Sequence, residues 1–239
     1  MKRSKKLIIA ILIVVLIGIW ALIAGTLFIS GPDLNSESKD ILVLAGDKYE
    51  QPNGAVDMAF MIHLENGSLA NYTPVYPGGM SHPSRGAPGG LSGNMMLHDC
   101  LWDGADQGMT YAQEIVEANT GMHSDAVVVI YSEGLDKIID SVRPITINGE
   151  VSNLSAEDMV RQNDAYNGYA GNENVQGTMS RGDAVMELAK ALVNVTKDPD
   201  KKNTMINEAL NQYSQGNILM KPEGSFMKLL ATKGIEKLL

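Results

Sequence analysis

The chain has 239 residues and 28 acidic against 19 basic side chains, a net charge of −9. So acidic a surface repels phosphate backbones and argues against nucleic acid as a partner. Cys100 is the only cysteine, which excludes an intrachain disulfide and leaves the apolar core to hold the fold.

Lys2, Arg3, Lys5 and Lys6 precede a charge-free run of 23 residues, Leu7 to Ile29. About 20 apolar residues cross a bilayer as a helix, whereas the apolar region of a cleaved signal peptide spans only ~7–15. The expectation is a retained anchor over 7–30, with the basic residues 1–6 cytoplasmic and everything beyond the linker 31–39 outside the cell. Taking those four cations from 19 leaves 15 against 28 acids, so the remaining domain, 40–239, carries about −13. Its length fits one domain with a sizeable core. Four sequons follow, at Asn66, Asn71, Asn153 and Asn194, each a candidate for glycosylation.

Ile41 to Leu44 is a continuous apolar run, the pattern of a strand covered on both faces. Val56–Leu64 and Leu69–Tyr76 form a hairpin closed at Asn66-Gly67. Pro77 to Gly93, rich in Pro and Gly, reads as a long irregular segment, and Asn94–Trp102 as a short helix. Ala105–Asn119 has a helical apolar stripe, and Asp125–Tyr131 is the strongest strand. Ser132 is the expected cap of the next helix, ahead of a short strand at Ile145–Ile147. Ser155 caps a third helix, and Asp164–Gln176 reads as a mobile loop. The helix over Ser180–Val195 presents Val185, Leu188, Ala189, Leu192 and Val193 on one face. A helix capped by Asp200 over Lys201–Tyr213, a strand at Ile218–Met220 and a helix over Pro222–Leu239 complete the chain. Strands alternating with helices after a hairpin predict an α/β sandwich with a mixed central sheet.

Few residues point to chemistry. Asp57 sits between Val56 and Met58, and a buried carboxylate costs several kcal/mol unless it is compensated. It therefore either faces solvent at the start of its strand or has a partner. His98-Asp99 could serve as a base or as half a metal site, or be an ordinary surface pair. Asp99, Asp103 and Asp106 lack the spacing of a calcium loop. Arg161 and Arg181 bracket the Asn/Gly-rich loop, where guanidinium forks could grip phosphate or instead pair with Glu157, Asp164 or Asp183. Cys100, in an apolar context, reads as a buried structural thiol.

The order of these motifs resembles the LytR-CpsA-Psr family of membrane-anchored phosphotransferases. Ile41-Leu42-Val43-Leu44-Ala45-Gly46-Asp47 matches the family's buried strand. Asp57 falls on the aspartate of its second strand, Glu65-Asn66-Gly67-Ser68 on its hairpin, and Tyr76-Pro77-Gly78-Gly79 on the end of the next strand. The resemblance implies an α/β/α sandwich and transfer of a glycopolymer from a polyprenyl-pyrophosphate carrier to the cell surface. It points to Asp47 and Asp57 as catalytic, to Arg161 and Arg181 as phosphate-binding and, under that activity, to Mg2+ at Asp57. The family's pyrophosphate-gripping arginines are replaced at Ala55 and Gly78, and its paired aspartate at Gly79. Those departures favour an envelope scaffold or binding protein with a degenerate site over the transferase. A closer similarity, through G-A-V-D-M-A-F, H-L-E-N-G, Y-P-G-G-M and M-S-R-G-D, is to an uncharacterised family of archaeal surface proteins.

Overall fold

The computed structural model describes residues 33–34, 36–75, 78–147, 149–163, 165, 177–225 and 228. Five strands build the main sheet: β1 (Ser38–Asp47), β2 (Ala55–Glu65), β3 (Ser68–Val75), β6 (Ala126–Tyr131) and β9 (Ile218–Lys221), in the order β3-β2-β1-β6-β9. β1 runs antiparallel to β2 and parallel to β6, and β9 is antiparallel to β6, so the sheet is mixed. The central place of β1 explains its unbroken apolar run, since both of its faces are covered. At the β2–β3 turn Asn66 and Gly67 both take positive φ, 49° and 69°, which matches the right-handed twist of a tight hairpin.

Alternation along the strands sorts the core into two sides. Leu42, Leu44, Ala59, Met61, Val127 and Val129 pack against α1 (Ala105–Thr120) and against the small sheet of β4 (Ser81–Gly86) and β5 (Asn94–Met96). Ile41, Val43, Ala126 and Val128 face the other way, toward α2 (Ser132–Ser141) and α5 (Pro199–Ser214). On that same side Met58 and Phe60 meet α3 (Ala156–Asn163) and α4 (Arg181–Val195), beside the hairpin of β7 (Ile145–Ile147) and β8 (Glu150–Ser152).

Most expected elements are present, with these differences. Residues 94–102 are not a helix: Asn94–Met96 is β5, and turns follow it. Its partner β4 lies inside the segment expected to be irregular. Buried His82 explains that order, because its Nδ1 accepts from the Ser84 and Arg85 N–H groups (3.2 and 3.0 Å) and its Nε2 meets Glu114 at 2.7 Å. Ser132 does not cap α2 but is its first residue, with Tyr131 before it and no side-chain cap. α5 starts two residues earlier than expected, because Asp198 accepts from Asp200 and Lys201 N–H and Pro199 occupies the first turn. Ser155 and Ser180 are caps, accepting from Asp158 and Asp183 N–H. The Asp164–Gln176 loop, apart from Ala165, and most of the C-terminal helix lie outside the described residues, as does the expected anchor, residues 7–30. Among the described residues no helix is long and apolar enough to cross a membrane.

Candidate functional site

β1 and β6 are parallel neighbours, and ligands in open α/β sheets bind beyond the carboxyl ends of such strands. Here Gly46 and Asp47 end β1, Ile130 and Ser132 lie at the end of β6, and all four border one cavity of about 300 Å³. Val43, Ala45, Met58 and Phe60 form its floor on the sheet. Leu135 of α2, Val160 of α3 and Val185, Leu188 and Leu192 of α4 form its walls. The helical stripe legible on α4 thus faces this space, except for Val193, which falls off the buried face and is exposed. Asp47, Glu50, Asp57, Glu157 and Arg161 supply its charged lining.

Asp57 reaches the cavity through a bulge. β1 and β2 pair Ala45 with Met58 and Gly46 with Val56, which leaves Asp57 without a cross-strand partner. Val56 packs into the core on the α1 side, while Asp57 and Met58 both line the cavity. An extra residue in one strand re-aims side chains in this way. Gly46 permits it: a Cβ there would lie 2.0 Å from the Ala55 carbonyl oxygen.

Two loops complete the cluster. The loop 48–54 carries Glu50 and is clamped from Gln51 onward. Gln51 Nε2 donates to Asp99 Oδ1 (2.7 Å), Asn53 Nδ2 to the Trp102 carbonyl (2.7 Å) and Tyr131 Oη to the Asn53 carbonyl (3.0 Å). Gly54, with φ of 95°, sits so close to the Tyr131 ring that a Cβ would fall 2.7 Å from it. The second loop brings His98, whose carbonyl accepts from Val56 N–H at 3.0 Å, fixing it beside the bulge. Ligand atoms of Glu50, Asp57 and His98 all lie within 4.8 Å of one another.

Asp57 is an exposed residue, yet partial desolvation of its carboxyl at the cavity, followed by the neighbouring Glu50, Asp47 and Glu157 carboxylates, pushes it above the usual carboxylate range, with His98 opposing. Burial alone would hold the His98 imidazole down. The Asp99 hydrogen bond and the Asp99, Glu50 and Asp57 charges outweigh it and raise the ring above its ordinary value. His98 Nδ1 lies 2.8 Å from Asp99 Oδ1 while Nε2 faces Glu50 at 3.2 Å. A carboxylate behind one ring nitrogen, with the other directed at carboxylates, is how imidazole is oriented toward a cation. The two carboxylates alone fit Mg2+ or Mn2+, which take one or two protein carboxylates and leave positions for phosphate oxygens, whereas a set that includes the imidazole fits a transition metal such as Zn2+ better than Mg2+.

The expected site residues divide as follows. Asp47, Asp57 and Arg161 border the cavity; His98 does not line it but lies beside Glu50 and Asp57, with Asp99 hydrogen-bonded behind it. One Asp47 oxygen is used locally, accepting from Tyr49 N–H at 2.7 Å. Arg161 is paired with Glu157 one helical turn away. Arg181 begins α4, and its side chain lies outside the described residues. Gly78 and Gly79 do not line the cavity, and Cys100 is buried on the opposite side of the sheet, its thiol pushed up to about 12 by burial. Glu50 and Gln51 carry no motif, and sequence reading missed both. The four sequon asparagines are all exposed.

The five-stranded mixed sheet with its flanking helices is similar in fold to solved LytR-CpsA-Psr proteins. Solved structures that match it include TagV from Bacillus subtilis (14% identity, 82% of this chain and 79% of that one, TM-score 0.50). They also include gbs0355 from Streptococcus agalactiae (14%, 82% and 73%, TM-score 0.54) and the transcriptional regulator EF0465 from Enterococcus faecalis (12%, 84% and 73%, TM-score 0.52). At such identities the likeness is one of fold. The chain itself belongs to the DUF4012 family, proteins of unknown function, whose model matches residues 36–166. No curated protein matches the chain.

Proposed function

We propose that this chain is a membrane-anchored, extracytoplasmic protein of the cell envelope that binds a lipid-linked phosphate, with its anchor at residues 7–30. The observation that carries this reading is the joining of an apolar cavity to the Glu50–Asp57–His98 cluster. Hydrocarbon gains by leaving water, and the headgroup gains from a cation held by the acids. The acids by themselves repel phosphate, and Arg161 already has Glu157 as a partner, so headgroup binding depends on the divalent cation. Binding without transfer is supported by the departures at Ala55, Gly78 and Gly79 from the resembled family's pyrophosphate grip. The full chain purified from its native membranes should carry a phosphorylated polyisoprenoid or its glycan-linked form, identified by mass spectrometry and lost in Asp57→Ala. Recovery of only bulk phospholipid, equally in both proteins, would sink the reading. The anchor is tested separately: the chain should resist alkaline extraction from membranes.

A second reading, transfer of a glycopolymer from a polyprenyl-pyrophosphate carrier, is favoured by Asp57, whose carboxyl is held above its usual range beside the cavity. A base poised in this way could take the proton of an acceptor hydroxyl. Release of polyprenyl phosphate from a labelled lipid-linked glycan, dependent on Mg2+ and on Asp57, would establish it. Binding without release would leave the protein a carrier-binding scaffold.

A further inference from the structure

We propose that Glu50, Asp57 and His98 hold a transition metal, Zn2+, and not the Mg2+ that the family resemblance implies. That metal is the divalent cation on which the lipid-phosphate reading depends. Mg2+ takes oxygen ligands and keeps its waters, whereas imidazole suits zinc. Here one of the three converging donors is a ring nitrogen.

His98 is held so that it cannot turn away. Its carbonyl accepts from Val56 N–H at 3.0 Å, which ties its backbone to the residue before Asp57. Asp99 N–H donates to the Met96 carbonyl at 3.0 Å and closes the turn around it. Asp99 Oδ1 lies 2.8 Å from Nδ1 and accepts from Gln51 Nε2 at 2.7 Å. With Nδ1 committed to Asp99, Nε2 faces Glu50 at 3.2 Å. A carboxylate behind one ring nitrogen fixes the tautomer and makes the other nitrogen a better metal donor. Glu50 is fastened by the same contact, since Gln51 follows it directly in the chain.

His63 shows what is missing elsewhere. It too has a carboxylate behind Nδ1, Asp40 at 2.8 Å, but its Nε2 meets Ser38 Oγ at 3.2 Å and Glu65 only at 3.8 Å. Among the described residues only Glu50, Asp57 and His98 bring three such donors together. Three protein ligands leave zinc an open position for water or another oxygen ligand, the place a phosphate oxygen needs.

The test uses the full chain in detergent, stripped with EDTA, with Zn2+, Mg2+ or Co2+ added alone and no lipid. Competition with a chromogenic chelator gives the Zn2+ affinity, and elemental mass spectrometry the stoichiometry. One Zn2+ should bind per chain, at least about a thousandfold more tightly than Mg2+. Co2+ should show the intense visible absorption of a four- or five-coordinate ion. His98→Gln should weaken Zn2+ at least about a hundredfold and leave Mg2+ binding unchanged. Asp99→Asn, a positioning change, should weaken Zn2+ by about 10–100-fold, and it decides the matter if His98→Gln does not fold by circular dichroism. His63→Gln should bind Zn2+ as the wild type does. Mg2+ bound as tightly as Zn2+, or Zn2+ affinity unchanged in folded His98→Gln or Asp99→Asn, would overturn the zinc assignment and leave the lipid-phosphate reading standing. Loss of Zn2+ in His63→Gln instead would do the same. Zinc bound as expected, with no phosphorylated polyisoprenoid recovered from native membranes, would overturn the lipid reading alone. Binding of no divalent metal would overturn both.

Discussion

Asp57 and Met58 are consecutive residues that line the same cavity, although strand alternation would send them to opposite faces of the sheet. The bulge at Ala45/Gly46 causes this, and it places a carboxylate where burial and three acidic neighbours raise its pKa. Asp57 is exposed, so solvent screens part of this, but its charge still stands among like charges that the fold would be relieved to lose. Asp57→Asn should raise the melting temperature at neutral pH and at the same time abolish any stabilisation by added Mg2+ or Mn2+. Differential scanning fluorimetry with and without the metals measures both effects. A variant less stable than wild type in metal-free buffer would contradict the assignment of Asp57 as a destabilising charge.

The two raised groups also set the direction of a pH dependence. With Asp57 raised above 3.8, the folded state binds more protons than the unfolded one between 3.8 and the folded pKa, so stability falls as pH rises through that window. His98, raised above 6.5, contributes stability that is complete below 6.5 and lost as pH climbs through its folded pKa. Metal-free wild type should therefore lose stability from weakly acidic to weakly alkaline pH. His98→Gln should flatten the upper part of that slope. Urea titrations at a series of pH values would show it, and an unchanged slope in the variant would refute the role of His98.

Gly46→Ala tests the bulge itself. The added methyl would meet the Ala55 carbonyl, a backbone atom of the adjoining strand, so the strands must separate. A cost on the order of 3 kcal/mol is expected, since overpacking of this kind typically costs ~1–3 and backbone displacement adds to it. In a domain of this size that lowers the melting temperature by roughly 6–12 °C. Metal-induced stabilisation should vanish as well, because Asp57 loses its position. A fully stable Gly46→Ala protein would show that the two strands do not approach so closely.

Cys100 should be inert. Its thiol is buried and pushed up to about 12, so almost no thiolate exists at neutral pH. Ellman's reagent should react with it only at the rate of unfolding, and fast in denaturant. Rapid labelling of the native protein would contradict its burial.

His82→Ala should loosen the segment that joins β3 to α1. The substitution leaves the Ser84 and Arg85 N–H groups without their acceptor and Glu114 without its partner, at about 2 kcal/mol by the usual penalty for buried unpaired groups. Limited proteolysis should then cut near Gly89–Gly93 faster than in wild type. Equal rates would mean that His82 does not order the segment.

The sequence by itself determined the strands and helices whose periodicity is strong, because an apolar run or stripe must be covered whatever its partner is. Ile41–Leu44, Ala126–Tyr131 and the α4 stripe were legible for that reason, and so was the buried state of Cys100. The sequence also singled out Asp57, as a carboxylate in apolar surroundings, but left open whether it faced solvent or a partner. Only the tertiary structure decided that: Asp57 is exposed, and it stands beside Glu50 and His98. Strand alternation is a local rule, and a bulge between β1 and β2 overrode it at the one residue that mattered. Glu50 had no local signature at all. It joins Asp57 and His98 because three separate loops and strands are tied together by Gln51, Asn53 and Tyr131, contacts that join residues about 50 to 80 positions apart in sequence. The Pro/Gly-rich segment read as irregular, and one buried histidine instead fastens it to the other face of the sheet. Periodicity is written into neighbouring residues, whereas convergence depends on distant ones meeting, and folding alone supplies that.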